Sequence, residues 1–102
     1  MNESSTAVRI AGIRDGMRNL IVIGKITQVG EAQAVTTRFG PARVATATLE
    51  DDTGSIRFNL WRDQTRAVSV GDTVKIENAF VKRFRDQLEL NVGKDGKITV
   101  LK

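Results

Sequence analysis

The stretch RVATATLEDDTGSIRFNLW (residues 43–61) alternates apolar and polar residues on both sides of a turn signal. Ala45, Ala47 and Leu49 share one side of the first run, and Ile56, Phe58 and Leu60 share one side of the second. The Asp-Thr-Gly chemistry between them provides side-chain hydrogen bonds and a glycine for a tight reversal. A period of two over this span argues against a helix. One apolar side per run requires a sheet with a buried face. The other side of the second run carries Ser55, Arg57, Asn59 and Trp61, the only tryptophan of the chain. An indole beside a cation and an amide is an odd choice for a surface that only meets water. Either Trp61 closes the core at a strand end, or it stands exposed for something to dock on.

The remaining chain repeats the strand theme. Residues 1–9 are expected to form a flexible N-terminal segment, and residues 10–102 a single domain. In VRIAGIRDGM, Ile10, Ile13 and Met17 recur at helical spacing while Gly12 and Gly16 break any long helix, which predicts a short helical turn plugging one end of a sheet structure. NLIVIGKITQVGEAQAV (19–35) reads as one long strand, with Gly24 marking a bulge or sharp bend. TTRFGPA (36–42) reads as a loop. After residues 43–51 and 55–61 comes a polar connector (62–72) whose first half suits a short helix. TVKIENAFVKRF (73–84) and LELNV (88–92) are the fourth and fifth strands, and KDG (94–96) turns into a last short strand. The expected class is all-β: a five-stranded OB-fold barrel with a short N-terminal helical turn and a short connector between strands three and four. An SH3-like barrel and an open five-stranded sheet share the same pattern.

The fourth strand poses a parity conflict. Val74 and Ile76 point inward, but strict alternation would then bury Phe80, Lys82 and Phe84. Burying an unpaired lysine is costly. A bulge near Glu77-Asn78 reverses the parity, sending Ala79 and Val81 inward and Phe80, Lys82 and Phe84 outward. Strands three and four then present Arg57, Asn59, Trp61, Phe80, Lys82 and Phe84 on one face. Adjacent loops add Arg38, Phe39, Arg83 and Arg85. Rings interleaved with cations suit single-stranded nucleic acid, whose bases stack on aromatic faces and whose phosphates seek positive charge. Burying three more large rings would overpack a small interior already filled by Phe58, Leu60, Val74, Ile76 and their neighbours.

Charge agrees with that reading. Sixteen Lys and Arg stand against twelve Asp and Glu, a formal net charge of +4. Without cysteine or histidine, disulfides, thiolate metal sites and histidine-dependent catalysis are excluded. Glu50-Asp51-Asp52 is explained by turn chemistry rather than a metal, and no nucleophile has a partner base, so neither metal, cofactor nor catalysis is expected. No apolar run approaches the roughly 20 residues that span a bilayer, and MNESSTAVRIAG lacks a signal-peptide layout. No membrane association is expected.

LEDDTGSIRFNLW, VGDTVKIENAFVKRFRDQLELNVG and the opening IRDGMRNLIVIGKITQVGE resemble the OB-folds of archaeal single-stranded DNA-binding proteins. They are also similar to archaeal replication protein A and the human sensor-of-ssDNA B subunits. The resemblance covers roughly residues 10–100. It implies a non-catalytic protein that binds single-stranded DNA with little sequence preference in replication, recombination or repair, with cytoplasmic, nucleoid-associated localisation. In the family an aromatic at the end of strand three and two on strand four stack on bases; these map onto Trp61, Phe80 and Phe84. Phe39 is expected to add a ring from the loop. Arg38, Arg57, Asn59, Lys82, Arg83, Arg85 and Asn91 are expected to make phosphate or polar contacts, Asn91 standing where some members carry a further aromatic. Simple archaeal members continue into a Gly-rich spacer and an acidic tail. The sequence stops at Lys102, consistent with a tail-less protein, a subunit or one domain of a longer chain. The alternatives are an RNA-binding OB module, or a structural subunit whose aromatic face packs on other OB-fold subunits or repair proteins.

Overall fold

The computed structural model describes residues 7–101, so residues 1–6 of the expected N-terminal segment 1–9, and Lys102, lie outside the described residues. Six strands form one sheet: β1 (Leu20–Val29), β2 (Gln33–Thr37), β3 (Gly40–Asp51), β4 (Gly54–Trp61), β5 (Thr73–Phe84) and β6 (Gln87–Leu101). Their order is β1-β5-β6-β4-β3-β2, and an additional β1–β3 pairing closes the sheet. The closed part is the five-stranded OB barrel of β1, β3, β4, β5 and β6. β2 and the C-terminal half of β6 extend it beyond the ring. Among the described residues, short 3-10 turns lie at Ile10–Gly12 and Arg62–Arg66.

Closure occurs along β1. Its first half pairs with β5, with Gly24 opposite Val74 and Lys25 opposite Thr73. Its second half pairs with β3, starting with Lys25 opposite Glu50. Gly24 stands at the handover. The sequence reading expected a bulge or bend there. The register irregularities instead fall between Leu20 and Val22 and between Ile26 and Gln28, on either side of it. The glycine is required for close approach: a Cβ at Gly24 would lie 2.8 Å from the Glu50 carbonyl oxygen and 2.9 Å from Leu49 Cγ.

Two further boundaries differ from the sequence reading. The expected continuous strand 19–35 breaks after Val29, where the Gly30 N–H donates to Thr46 O at 2.8 Å. The supposed loop 36–42 is a hairpin, β2 against β3, with Thr37 opposite Gly40 and only Arg38-Phe39 at the tip. Gly40, at φ 102°, and Thr37, whose hydroxyl donates to Gly40 O at 2.7 Å, make that tip. The expected KDG turn lies inside β6. Both halves of β6 pair with β5, Val92 opposite Ala79 and Lys97 opposite Glu77, and the intervening residues of β6 bulge around Asn78.

That irregularity is the bulge anticipated from the Lys82 parity conflict. Asn78 adopts φ 57°, and burial changes parity across it. Val74 and Ile76 are fully buried before it; Ala79 and Val81 are buried after it. The core around them consists chiefly of Phe58, Leu60, Leu49, Ile26 and Leu90. Ile10 and Ile13 of the N-terminal turn plug its end. The plug is tied down by Asp51, whose Oδ2 accepts from the Ile10 N–H at 2.9 Å. Its Oδ1 accepts from the Thr53 N–H, the Thr53 hydroxyl and the Gly54 N–H. The turn acid is therefore fully used by protein donors. Just upstream, the Val8 N–H donates to Ile21 O at 2.8 Å and Arg9 pairs with Asp52, so the packed chain reaches at least to Val8.

Two outcomes are expected from this packing. Gly24→Ala forces β1 and β3 apart at a backbone contact that cannot yield, and costs about 1–3 kcal/mol in urea unfolding. An unchanged midpoint would show that the closure has slack. Asp51 behaves as an acid-side latch. Partial burial raises its pKa, but the hydrogen bonds from the Thr53 hydroxyl and the Ile10, Thr53 and Gly54 amides outweigh this and hold it below the usual carboxylate value. Its stabilisation is complete above the unfolded carboxyl value of about 3.9 and is lost as pH falls through the lowered native value. Thermal melts over this range should therefore decline more steeply with acid for the wild type than for Asp51→Asn.

Candidate nucleic-acid interface

The outward residues of β4, β6 and β5 make one continuous surface. β6 lies between β4 and β5, with Arg57 opposite Glu89 on one side. On the other, Lys82 faces Glu89, Phe80 faces Asn91 and Phe84 faces Gln87. This corrects the direct juxtaposition of strands three and four expected from the sequence. Trp61 and Phe80 share a face, yet a polar spine of Gln87, Glu89 and Asn91 runs between their strands. A small barrel closes by pairing β1 with β3, which leaves β6 to bridge β4 and β5.

Trp61 is half-buried, neither a core residue nor a free ring. Its indole Nε1 donates to Asn91 Oδ1 at 3.2 Å, and its backbone N–H donates to Gln64 Oε1 at 2.9 Å. Gln64 Nε2 in turn donates to Val92 O at 3.1 Å, fastening the connector turn to β6. Trp61, Phe80, Asn91, Val92 and Gly93 line a cleft of about 410 Å³ with the indole and the phenyl ring both contributing to its wall. Phe84 is 54% exposed and Phe39 84%. Phe84 ends β5 at the β5–β6 turn, Phe80 stands four residues earlier on the same strand, Trp61 ends β4 across β6, and Phe39 sits at the tip of the β2–β3 hairpin arm. That arm continues β3 beyond Val44, the partner of Trp61. Gly40 lies four positions before Val44, so at roughly 3.3 Å per residue the tip extends about 13 Å beyond the Val44–Trp61 pair.

The expected polar residues fare differently. Lys82 lies on the face, its Nζ 5.9 Å from the Phe80 ring centroid, and Arg85 lies 5.2 Å from that of Phe84. Arg38 is exposed beside Phe39 at the hairpin tip. Arg57 is on the face but paired, its Nη1 3.3 Å from Glu89 Oε2. Asn59 donates to Glu89 Oε1 at 2.9 Å and to Asn91 Oδ1 at 3.3 Å. Arg83 takes the opposite strand parity to its neighbours Lys82 and Phe84 and pairs with Asp86 at 3.1 Å. Asn91 is 6% exposed, and its Oδ1 accepts from both the Trp61 indole and Asn59, so it supports the indole. Gln64 was missed entirely. The signal was present in Trp61-x-x-Gln64, a spacing that lets a glutamine cap the preceding strand end.

Asn91→Ala leaves the indole N–H without its acceptor inside a partly dry site. We expect a loss of about 1–2 kcal/mol in stability and a red shift of tryptophan emission as the ring loosens. Unchanged emission would mean that Asn91 does not hold Trp61.

The family described as "Single-stranded DNA binding protein Ssb-like, OB fold" matches residues 17–100. The single-stranded DNA binding protein Ssb of Saccharolobus solfataricus is 29% identical over 90 residues, which cover 88% of this chain and 61% of that protein. Replication factor A of Methanothermobacter thermautotrophicus is 39% identical over 97 residues, covering 88% of this chain and 12% of that protein. The chain thus spans less than two thirds of the length of either relative. Among solved structures, the OB domain of a Thermoplasma acidophilum protein superposes with a TM-score of 0.79 at 28% identity, covering 93% of this chain and 86% of that one.

Proposed function

The chain belongs to the Ssb-like family of single-stranded DNA-binding OB-folds, and on that premise we propose that it binds single-stranded DNA by stacking bases on Trp61, Phe80, Phe84 and Phe39. Arg38, Lys82 and Arg85 supply phosphate contacts, and the activity is binding without catalysis. The observation that carries this reading is the cleft between Trp61 and Phe80, whose indole is held in place by Asn91 and Gln64. A ring immobilised before binding loses little entropy when a base stacks on it. The binding track holds roughly 4–6 nucleotides, within the range of one OB-fold. Its role is to cover single strands during replication, recombination or repair, alone or alongside other OB-fold subunits. Among the described residues no helix is long and apolar enough to cross a membrane.

The test uses the single tryptophan. Titration with oligo-dT should quench Trp61 emission, and Trp61→Ala should weaken binding by about 1–3 kcal/mol without unfolding the protein. Rising salt should lower log K with a slope near −2, from roughly 0.7 per phosphate neutralised by three cations. Lys82→Ala should flatten that slope, whereas Lys25→Ala, on β1, should leave it alone. A slope near zero would assign the aromatic face to a protein partner, and stronger quenching by oligo-rU than by oligo-dT would assign it to RNA.

A further inference from the structure

The centre of this face carries a carboxylate, which a purely phosphate-seeking surface would avoid. Glu89 sits on β6 between Arg57 of β4 and Lys82 of β5. Its side chain is 14% exposed. Asn59 Nδ2 donates to one carboxylate oxygen at 2.9 Å and Arg57 Nη1 to the other at 3.3 Å. These two donors fix the group without exhausting it, since a carboxylate offers about four acceptor positions.

Glu89 also falls in a gap between rings. Phe80 and Phe84 are four residues apart on β5, about 13 Å at roughly 3.3 Å per residue. Lys82 and its cross-strand partner Glu89 occupy the interval. A base in this interval has no aromatic ring of this strand beneath it. Backbone phosphate is repelled by the carboxylate, so the base edge is the part of the nucleotide that can face it. Cytosine offers the N4 amino group as a donor, while thymine offers the O4 acceptor at the same place. The carboxylate meets a donor in the first case and a second acceptor in the second.

We propose that Glu89 reads the base in this gap and makes the site favour cytosine over thymine. The inference rests on the single-stranded DNA reading above and deepens it: stacking accepts any base, and Glu89 adds a preference at one position. Arg57 acts here as the residue that holds the carboxylate, not as a phosphate contact. Comparison of two pyrimidines keeps ring size, and hence stacking area, nearly constant.

The experiment is a fluorescence titration of the whole chain with dC, dT and N4,N4-dimethyl-dC oligomers of one length. Wild type should bind dC about fivefold tighter than dT, the scale of one net hydrogen bond, and the dimethylated oligomer, which has lost its donor, should fall to the dT level. Glu89→Gln should bring the dC:dT ratio close to one, because a glutamine amide both donates to O4 and accepts from N4. Equal wild-type affinity for dC and dT overturns the proposal while leaving the stacking reading in place. So does a ratio that survives Glu89→Gln, or a dimethylated oligomer that binds like dC. Failure of wild type to bind any of the three overturns the stacking reading and this inference together. The wild-type series with the modified base decides the matter even if the variant is unstable.

Discussion

The handover of β1 from β5 to β3 at Gly24 is the constraint on which the rest of the barrel depends. A six-stranded order with β1 at one end and β2 at the other would leave an open sheet with two long edges. Bringing β3 across β1 removes most of that edge, and it requires backbone and Leu49 to approach Gly24 closer than any Cβ permits. Once β1 joins β3, β6 must bridge β5 and β4. It does so with an antiparallel ladder on one side and a short parallel contact on the other. The polar spine of Gln87, Glu89 and Asn91 reaches the middle of the outer face only because of this closure.

The Asn78 bulge then decides what that face displays. A left-handed residue other than glycine costs on the order of 1 kcal/mol, less for asparagine than for most. In return the buried run of Val74 and Ile76 continues as Ala79 and Val81, and Lys82 stays outside the core. The same shift turns Phe80 and Phe84 outward. A second departure from ordinary geometry sits close by: Arg85 and Asp86, at φ 51° and 64°, close the β5–β6 turn. That primed turn suits the twist of its strands but favours Asn-Gly over these residues. One borders the half-buried ring of Phe80 and the other the exposed ring of Phe84, and strain near such sites is often retained for function.

The electrostatics of the face are divided. Its middle is nearly balanced, with Arg57 paired to Glu89, and hydrogen bonds running through Asn59 and Asn91 to the Trp61 indole. Of the cations proposed to meet the strand, Arg38, Lys82 and Arg85 carry no carboxylate pair among the described residues and stand at the arm, on β5 and at the β5–β6 turn. Attraction for an anionic strand is thus placed around the rings rather than beneath them. Lys82 and Arg85 also rest near Phe80 and Phe84, so they can follow a phosphate only by leaving those rings.

By itself the sequence determined which residues share a side of each strand, because that follows from covalent geometry and a period of two. Ile56, Phe58 and Leu60 against Arg57, Asn59 and Trp61 needed no partner to be legible. The cost of burying Lys82 was enough to place the bulge near Asn78 and the rings of Phe80 and Phe84 outside. The barrel class followed from short alternating strands and turn chemistry, supported by family resemblance. Only the tertiary structure decided which strands lie side by side. The insertion of β6 between β4 and β5, the hairpin formed by residues 33–44 and the hydrogen bond from the Trp61 indole to Asn91 are non-local. So is the role of Gly24, set by a strand about 25 residues away whose approach leaves no mark in local periodicity. Period and solvation are written residue by residue, whereas pairing is settled by the closure of the whole sheet.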